Sequence, residues 1–402
     1  MEAGVDDLLP RLSLAERDRR YMRVRAAMAI AGLDLLIAPA STSRWEQTMA
    51  DSRYLTSIGG FGTESLTIFP RDGEVVAYVF NRAAFWRRAQ DWVTDVRDGH
   101  NRWADNIRER LNELGLERGR IGIAGLDGLT RSPDGVVPNG TLRRLSAAMP
   151  ALEIVDATEL MSQARAIKSP EEIGLIRRAT EIAEAMAASL RELRPGASER
   201  TAYAGLVQNL VSLGGELPAM IIVGSGPEIT SGNFVPTSRQ LQAGDLIVGE
   251  MEGRYAGYSG QIVRPATLGP PRSAYSDLFA IARACFEAVL QTLKAGVSLR
   301  EVMAVYDRTI AREGGGHLTP AYPLMHARGL GDEYPAVLTP RDLDRLGNVH
   351  LQAGMVFVLK PRAGRPGGGS AQVGDTVVVG ERGGYRLGHQ PLELIEVPWP
   401  TR

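Results

Sequence analysis

The chain has 402 residues, and 46 lysines and arginines nearly balance 47 aspartates and glutamates, so its formal net charge is -1. That balance argues against a protein that binds nucleic acid or a membrane surface through bulk charge. The single cysteine, Cys285, excludes an intramolecular disulfide and a metal cluster built from cysteines. We find no apolar run long enough to span a bilayer and no apolar signal core at the N-terminus, so we expect a cytoplasmic protein.

Helices and strands are predicted to alternate through the first part of the chain. Residues 14–32 have apolar residues at helical spacing, with Gly32 as a cap, and the next segment, LDLLIAPA, has the pattern of a buried strand. A hairpin is predicted around Asp72-Gly73. Further helices are expected near 80–92, 102–116 and 141–150, and further strands at VTDV, RIGIAG and LEIVDA. This alternation indicates an α/β domain with a mixed sheet, which we assign to residues 1–163.

A second domain is expected over residues 164–402. Ser169, Pro170 and Glu172 form a strong helix start, because serine can cap, proline suits the first helical position and glutamate completes a capping box. More helices are predicted from Ser198, over 273–294 and from Leu299. β-rich blocks lie at 219–224, 246–268, 354–360 and 371–379. The pattern favours an α+β domain with helices on one side of a largely antiparallel sheet.

Four segments of this second domain carry a family resemblance. They read GDLIVGEMEGRYAGYSGQIVR (244–264), MHARGLG (325–331), LQAGMVFVLKP (351–361) and QVGDTVVVGERGGYRLG (372–388). In order and spacing they resemble the creatinase / aminopeptidase P / prolidase superfamily. The resemblance implies an N-terminal α/β creatinase-like domain, a C-terminal pita-bread domain with helices on a curved antiparallel sheet, and a homodimer.

The family's peptidases hold two divalent metals with two aspartates, a histidine and two glutamates. The positions that resemble these five hold Glu250, Gln261, His326, Lys360 and Gly374. With a neutral histidine, their formal charges sum to zero, whereas two hard cations need anionic oxygens around them. An ammonium at a ligand position also repels a cation. The resemblance therefore implies a member without the usual dinuclear centre, and we expect no metal and no cofactor.

Creatinase keeps this fold and hydrolyses a C–N bond without a metal, but its histidines are not matched here. The resemblance places Asn233 where creatinase has its general-base histidine, and it places Glu333 where the family has its second histidine. His326 is the candidate proton carrier, because imidazole titrates near neutral pH. The alternative for His326 is a structural histidine at a strand end, and the alternative for Glu333 is a solvated loop residue.

The sequence leaves two interpretations open for Lys360 and Glu250, and for several substrate-binding candidates. Lys360 and Glu250 form either an electrostatic substitute for the metals, which polarises or orients a substrate, or a buried ion pair that fills an inactive site. The substrate-binding candidates are Glu252, Gln261, Arg328, Asn233 and Tyr258. Structural alternatives exist for two of them: packing of the sheet is favoured for Tyr258, and Gln261 could replace a lost metal bridge with a hydrogen bond. We interpret Arg264 and Asp375 as mainly structural.

The leading hypothesis is a metal-independent, creatinase-like hydrolase that cleaves a C–N (amide or amidine) bond of a small polar or zwitterionic molecule. In it Glu250, His326, Lys360 and Glu333 are catalytic. The expected partners are a small-molecule substrate and a second copy of the chain, with no nucleic acid and no membrane. One alternative is an atypical single-metal Xaa-Pro dipeptidase or lyase with the metal at Glu250, Glu252, His326 and Asp375. Another is a non-catalytic binding protein of the same fold.

Overall fold

The computed structural model describes residues 11–38, 49–128, 132, 134–217, 219–227, 235–321, 324–337, 341–365 and 369–400. The chain divides into two compact units, one of Met1–Ala166 with Leu330–Tyr334 and one of Ile167–Gly329 with Pro335–Arg402. The main division thus falls after Ala166, whereas the domain boundary predicted from the sequence lies after residue 163. The short segment 330–334, which groups with the first unit, is a feature that the sequence does not predict.

The first unit is built on one mixed sheet. Its strands are β1 (Leu35–Ala38), β2 (Ser65–Pro70), β3 (Val76–Val79), β4 (Asp95–Asp98), β5 (Arg120–Ile123) and β6 (Glu153–Asp156), in the order β4-β3-β2-β1-β5-β6. The pairs β1–β2 and β2–β3 are antiparallel, and the other pairs are parallel. The predicted hairpin and mixed sheet are confirmed.

Helices of this unit begin and end where local chemistry allows. They are α1 (Leu14–Ala31), α2 (Ala50–Thr56), α3 (Ala83–Ala89), α4 (Trp103–Glu113), α5 (Asn139–Ala148) and α6 (Thr158–Ala166). Ser13 caps α1 by accepting a hydrogen bond from the backbone N–H of Glu16, and Gly32 ends it at a φ of 64°. The predicted α1 and its glycine cap are confirmed. The sequence does not predict α2, whose seven residues are all buried and so show no amphipathic period.

The second unit carries longer helices on several sheets. Its helices are α7 (Pro170–Ser189), α8 (Glu199–Ser212), α9 (Ser273–Thr292), α10 (Leu299–Glu313) and α11 (Asp342–Leu346). The capping box predicted at the start of α7 is confirmed. The N–H of Glu172 donates to Ser169 Oγ at 3.2 Å, and the N–H of Ser169 donates to Glu172 Oε2 at 2.9 Å. Capping boxes at Ser198 and Ser298 begin α8 and α10 in the same way.

The strands of the second unit are mainly antiparallel. They are β7 (Ile221–Gly226), β8 (Leu246–Tyr255), β9 (Tyr258–Val263), β10 (Ala266–Leu268), β11 (Thr319–Ala321), β12 (Met325–Arg328), β13 (Asp332–Val337), β14 (Val356–Leu359), β15 (Arg362–Gly364), β16 (Ser370–Gln372), β17 (Asp375–Val378), β18 (Tyr385–Arg386) and β19 (Ile395–Val397). Three sheets form, in the orders β19-β10-β8-β7 with β9 on β8, β11-β15-β16, and β13-β12-β14-β17-β18. The antiparallel character is confirmed except at the parallel pair β10–β19. The predicted α+β fold is confirmed, although the strands divide into several sheets.

Helix α7 packs directly on the backbone of the β8–β9 hairpin. A Cβ atom at Gly253 would lie 2.0 Å from the carbonyl oxygen of Ala179, and one at Gly260 would lie 2.3 Å from the backbone nitrogen of Thr180. Because neither distance leaves room for a side chain, glycine is required at both positions. This close approach fixes the hairpin against α7. The hairpin carries Glu250 and Gln261, so the packing also fixes two of the candidate site residues.

Glu199, the first residue of α8, joins two separate stretches of backbone. Its Oε1 accepts hydrogen bonds from the N–H and hydroxyl of Ser225 at 2.9 and 2.8 Å. Its Oε2 accepts from the N–H and hydroxyl of Thr237 at 2.9 and 2.5 Å. Burial alone would raise the pKa of Glu199, but the hydrogen bonds from Thr237 and Ser225 outweigh it and hold that pKa below its ordinary value. The carboxylate therefore stabilises the folded chain in its ionised form.

We expect Glu199→Gln to lower the free energy of unfolding near neutral pH by about 2–4 kcal/mol, since an amide NH₂ cannot accept the two bonds from Thr237. The wild-type contribution is present above the carboxyl's unfolded pKa and is lost as pH falls through its folded pKa. Urea unfolding at neutral and acidic pH measures this, and the gap between the two proteins should narrow in acid. An equal gap at both pH values would contradict the assignment.

No helix of the described residues is long and apolar enough to cross a membrane.

Candidate active site

Strands of the second unit bring the motif positions together. Glu250 lies on β8 opposite Val263 of β9, which in turn bridges to Gly374. His326 lies on β12 in register with Val358 of β14. Lys360 follows β14 directly, and its backbone N–H donates to Leu324. Positions far apart in the sequence thus meet through sheet pairing.

Glu250 and Lys360 form an ion pair. Lys360 Nζ donates to Glu250 Oε2 at 2.6 Å, and the Lys360 side chain is 3% exposed against 13% for Glu250. Gln261 Nε2 donates to the same oxygen at 2.7 Å. The buried Gln261 Oε1 has no hydrogen-bond partner among the described residues. One oxygen of Glu250 is therefore bonded by both Lys360 and Gln261.

The charges of this group favour an ionised Glu250. Burial alone would raise the pKa of Glu250, but the ammonium of Lys360 outweighs that effect, with smaller contributions from His326 and Arg362. The pKa of Glu250 therefore lies below its ordinary value. A carboxylate of this kind is a weak base near neutral pH and a good hydrogen-bond acceptor.

His326 is fully buried on β12. Burial raises the pKa of Glu250 and Lys360 lowers it, and His326 lowers it further when the imidazole is protonated. Sheet pairing places His326 on the strand next to the one that Lys360 follows. The catalytic role of His326 stays a prediction.

The residues of this group do not fit the metal centre that the resemblance implies. Lys360 Nζ bonds the carboxylate that would have to bind a metal. At Gly374, where the family supplies a glutamate, even a Cβ atom would lie 2.8 Å from Lys360 Cβ and 2.9 Å from Val263 Cγ2. Within the described residues, no group of three or more His, Cys, Asp and Glu side chains could hold a metal ion. A side chain at position 374 would therefore meet Lys360 and Val263 at its first carbon atom.

Glu252, a predicted substrate-binding residue, is surrounded by protein donors. Arg328 donates to its Oε2 in a short charge-assisted bond, Ser259 Oγ donates to its Oε1 at 2.9 Å, and Arg254 lies 3.7 Å from the same oxygen. Glu252, Arg254 and Arg328 are all buried. This arrangement gives Glu252 and Arg328 a structural role, and their contact with a substrate stays a prediction.

Asp375 is likewise bonded to arginines. Arg264 Nη2 donates to Asp375 Oδ2 at 3.0 Å, and Arg386 Nη2 donates to the same atom at 2.7 Å. Arg264 also donates to the carbonyl of Gly374. The interpretation of Arg264 and Asp375 as structural agrees with these bonds. Glu252 and Asp375 are thus separately compensated by arginines, which argues against the single-metal site suggested as an alternative.

The remaining predicted site residues have partners elsewhere or cannot be described. Tyr258 donates through its hydroxyl to Glu172 Oε1 at 3.0 Å and is buried, as its packing alternative expected. Glu333 belongs to the first unit, where its Oε1 accepts from Arg165 at 2.8 Å, so it is a buried ion-pair residue and not a solvated one. Asn233 lies outside the described residues. The roles of these three residues in binding or catalysis stay predictions.

Two residues close to Lys360 were not predicted from the sequence. Arg362, two positions after Lys360, is half-buried and contributes to the lowered pKa of Glu250. Gln372 donates to the carbonyl of Lys360 at 3.0 Å and accepts from Arg362 at 2.8 Å. The formal charge of zero covers only the five motif positions, and Arg362 adds one positive charge that this sum leaves out. Their signal in the sequence is weak, since neither occupies a ligand position of the family.

Family models match both units of the chain. The model of metallopeptidase family M24 matches residues 174–381, and that of the creatinase/prolidase N-terminal domain matches residues 20–167. Among solved structures, the Xaa-Pro dipeptidase from Bacillus anthracis superposes with a TM-score of 0.76 at 21% identity, covering 95% of this chain and 100% of that one. This likeness shows the fold: a creatinase-like N-terminal domain and a C-terminal pita-bread domain.

Relatives found by sequence match a smaller share of this chain than the solved structure does. The protein named probable dipeptidase PepE of Mycobacterium tuberculosis is 28% identical over 259 residues, which are 63% of this chain and 66%, just under two thirds, of that protein. The Xaa-Pro dipeptidase of Pyrococcus horikoshii is 27% identical over 262 residues, 64% of this chain and 73% of that protein. Since the M24 model alone matches more than half of the sequence, the chain belongs to metallopeptidase family M24.

Proposed function

We propose that this protein is a hydrolase that cleaves a C–N bond, amide or amidine, in a small polar or zwitterionic molecule without using a metal ion. Relatives named as dipeptidases support hydrolysis of a C–N bond. One observation carries the metal-independent part: Lys360 Nζ lies 2.6 Å from Glu250 Oε2. A protein ammonium thereby compensates the carboxylate that a metal would compensate in a metallopeptidase.

The chemistry of hydrolysis assigns a role to each member of the group. Water oxygen adds to the substrate carbon as the C–N bond breaks, and one proton of that water must reach the departing nitrogen. His326 accepts this proton from the water and donates it to the departing nitrogen, because imidazole is suited to both steps near neutral pH. Glu250, kept ionised by Lys360, accepts hydrogen bonds from the substrate's N–H groups. Gln261 Oε1 offers a second acceptor.

The test is hydrolysis after removal of metals. The protein is dialysed against a strong chelator and assayed on a panel of small amides, dipeptides and amidines that includes glycylproline and creatine. We expect turnover of at least one compound to survive chelation unchanged and to be lost in His326→Gln. Activity that appears only when Mn²⁺, Co²⁺ or Zn²⁺ is added would overturn the metal-independent mechanism.

A catalytically silent protein is the other outcome that this test separates. If the panel compounds raise the melting temperature but none is hydrolysed, with or without added metal, the site binds small molecules and does not cleave them. The buried ion pair of Lys360 and Glu250 would then be a structural replacement for the metals, as the inactive-site reading of the sequence holds.

A further inference from the structure

A second pocket of the second unit is formed by residues outside the candidate active site. It has a volume of about 290 Å³ and lies between β8, β10, the start of α9 and the connection from β15 to β16. The lining residues that matter for its chemistry are Leu246, Thr267, Arg272, Tyr275, Leu278 and Arg365. The described residues that line it do not include Glu250, Gln261, His326 or Lys360. Whatever this pocket binds is therefore held by a different set of side chains.

Strand alternation turns Thr267 towards this pocket. Thr267 lies on β10 between Ala266 and Leu268, which both belong to the apolar core of the second unit. Since successive side chains of a strand point to opposite faces, Thr267 points away from that core. Leu246, its cross-strand partner on β8, lines the pocket beside it. The pocket therefore lies on the face of this sheet opposite the core.

Two buried hydroxyl groups of the lining have no protein partner. Thr267 is 2% exposed, and Tyr275, in the first turn of α9, is 8% exposed. Among the described residues, neither Thr267 Oγ1 nor the Tyr275 hydroxyl has a hydrogen-bond partner. The hydroxyls of Tyr258 and Tyr306, in contrast, donate to a carboxylate and a backbone carbonyl. Because an unpaired buried hydroxyl costs stability, two of them in one pocket point to a ligand that accepts hydrogen bonds.

The charges around the pocket favour an anion. Arg272 and Arg365 both line it, and the described lining residues include no aspartate or glutamate. Arg272 is also the N-cap residue of α9, where its side chain makes no capping hydrogen bond. The first turn of an α-helix has backbone N–H groups without intrahelical acceptors and carries a partial positive charge. Leu246 and Leu278 add apolar surface to these donors.

We propose that this pocket binds a small organic anion, a monocarboxylate with an apolar body such as phenylacetate or hexanoate. The carboxylate accepts hydrogen bonds from the hydroxyls of Thr267 and Tyr275 and pairs with Arg365, because a planar guanidinium suits a carboxylate. The apolar body packs on Leu246 and Leu278. The pocket is lined by none of the residues assigned to hydrolysis, so the inference does not depend on the proposed function.

The experiment compares each carboxylate with its neutral amide. Binding of phenylacetate, phenylacetamide, hexanoate and hexanamide to the full chain is measured by calorimetry. We expect the wild type to bind at least one carboxylate about 10-fold or more tightly than its amide. Thr267→Val and Tyr275→Phe should each weaken binding of that carboxylate by about 10-fold, since each removes one donor and keeps the shape of the side chain. Arg365→Gln should lose the preference for the carboxylate over the amide.

Melting temperatures without ligand separate a binding role of the hydroxyls from a structural one. Because neither hydroxyl has a protein partner among the described residues, Thr267→Val and Tyr275→Phe should melt at or above the wild-type temperature while they bind the carboxylate less tightly. Arg283→Gln, at an exposed arginine of α9, is the matched charge control and should bind like the wild type. His326→Gln alters the candidate active site and should also bind like the wild type.

Several results would overturn the inference. A wild type that binds neither carboxylate, or binds each no better than its amide, would mean that the pocket holds only water. Thr267→Val and Tyr275→Phe proteins that bind like the wild type, or that melt well below it, would show that the hydroxyls do not serve a ligand. Binding that is lost in His326→Gln and kept in Tyr275→Phe would assign the carboxylate to the candidate active site instead.

Discussion

Replacing Gly260 with alanine is expected to lower the free energy of unfolding of this protein by more than about 3 kcal/mol and to leave little soluble material. The added Cβ would lie 2.3 Å from the Thr180 nitrogen and 2.4 Å from its Oγ1. Overpacking a core commonly costs about 1–3 kcal/mol. The cost here is greater because the nearest atom belongs to the backbone of α7, which cannot move aside as a side chain does. Soluble yield and urea unfolding measure the effect.

Gly174→Ala is the matched control for that substitution. Gly174 lies within α7, and a Cβ atom there meets nothing within 4 Å. Alanine is the better helix former, so the variant should be more stable than the wild type by about 0.5–1 kcal/mol. A stable, fully soluble Gly260→Ala protein would show that α7 and the β8–β9 hairpin do not approach each other as described.

Replacing Lys360 with methionine is expected to cost about 3–5 kcal/mol of stability at neutral pH, because it leaves Glu250 without its ammonium partner. In the wild type the folded pKa of Glu250 is lowered, so its contribution is present above the unfolded pKa and is lost as pH falls through the folded one. In Lys360→Met, burial dominates and the pKa of Glu250 rises. The carboxyl then favours folding only when protonated, so the variant's deficit should shrink as pH falls.

Urea unfolding of both proteins between about pH 7.5 and pH 5 checks this prediction. The double variant Lys360→Met/Glu250→Gln supplies the control, since it removes both charges and should recover much of the lost stability. The same variants address function: hydrolysis should fall by about 10²–10³ in Lys360→Met if the pair contributes electrostatically to the reaction. A deficit that grows in acid, or a double variant no better than the single one, would contradict a buried charge pair at this site.

Local features of the sequence were sufficient for most elements of the fold. The capping boxes at Ser169 and Ser198 and the glycine after α1 act within one helical turn, so their residue types alone predict where helices begin or end. The short helix α2 escaped prediction for the opposite reason. In α2 every residue is buried, so the alternation of exposed and buried positions from which a helix is recognised is missing.

Some contacts of the candidate site could likewise be predicted from the sequence, and others could not. Motif order and spacing predicted that Glu250 pairs with Lys360, because the resemblance assigns the two residues to different ligand positions of one metal centre, and the ion pair is present. Nothing in the sequence indicated that Arg328 compensates Glu252 or that Gln372 holds Arg362. Those partners are 76 and 10 residues apart in the chain, and any of several arginines would satisfy the pattern equally well.

The amino-acid sequence by itself determined the family and the α+β fold. It also places Lys360, Gln261 and Gly374 at positions where the resemblance implies metal-binding carboxylates, and residue type at such a position decides which charges are available. Only the tertiary structure decided how those charges are distributed. Strand pairing places Arg328 beside Glu252 and Arg264 beside Asp375, and it places Arg362 beside the amide of Gln372. The carboxylate partners matter because a buried charge without compensation is costly.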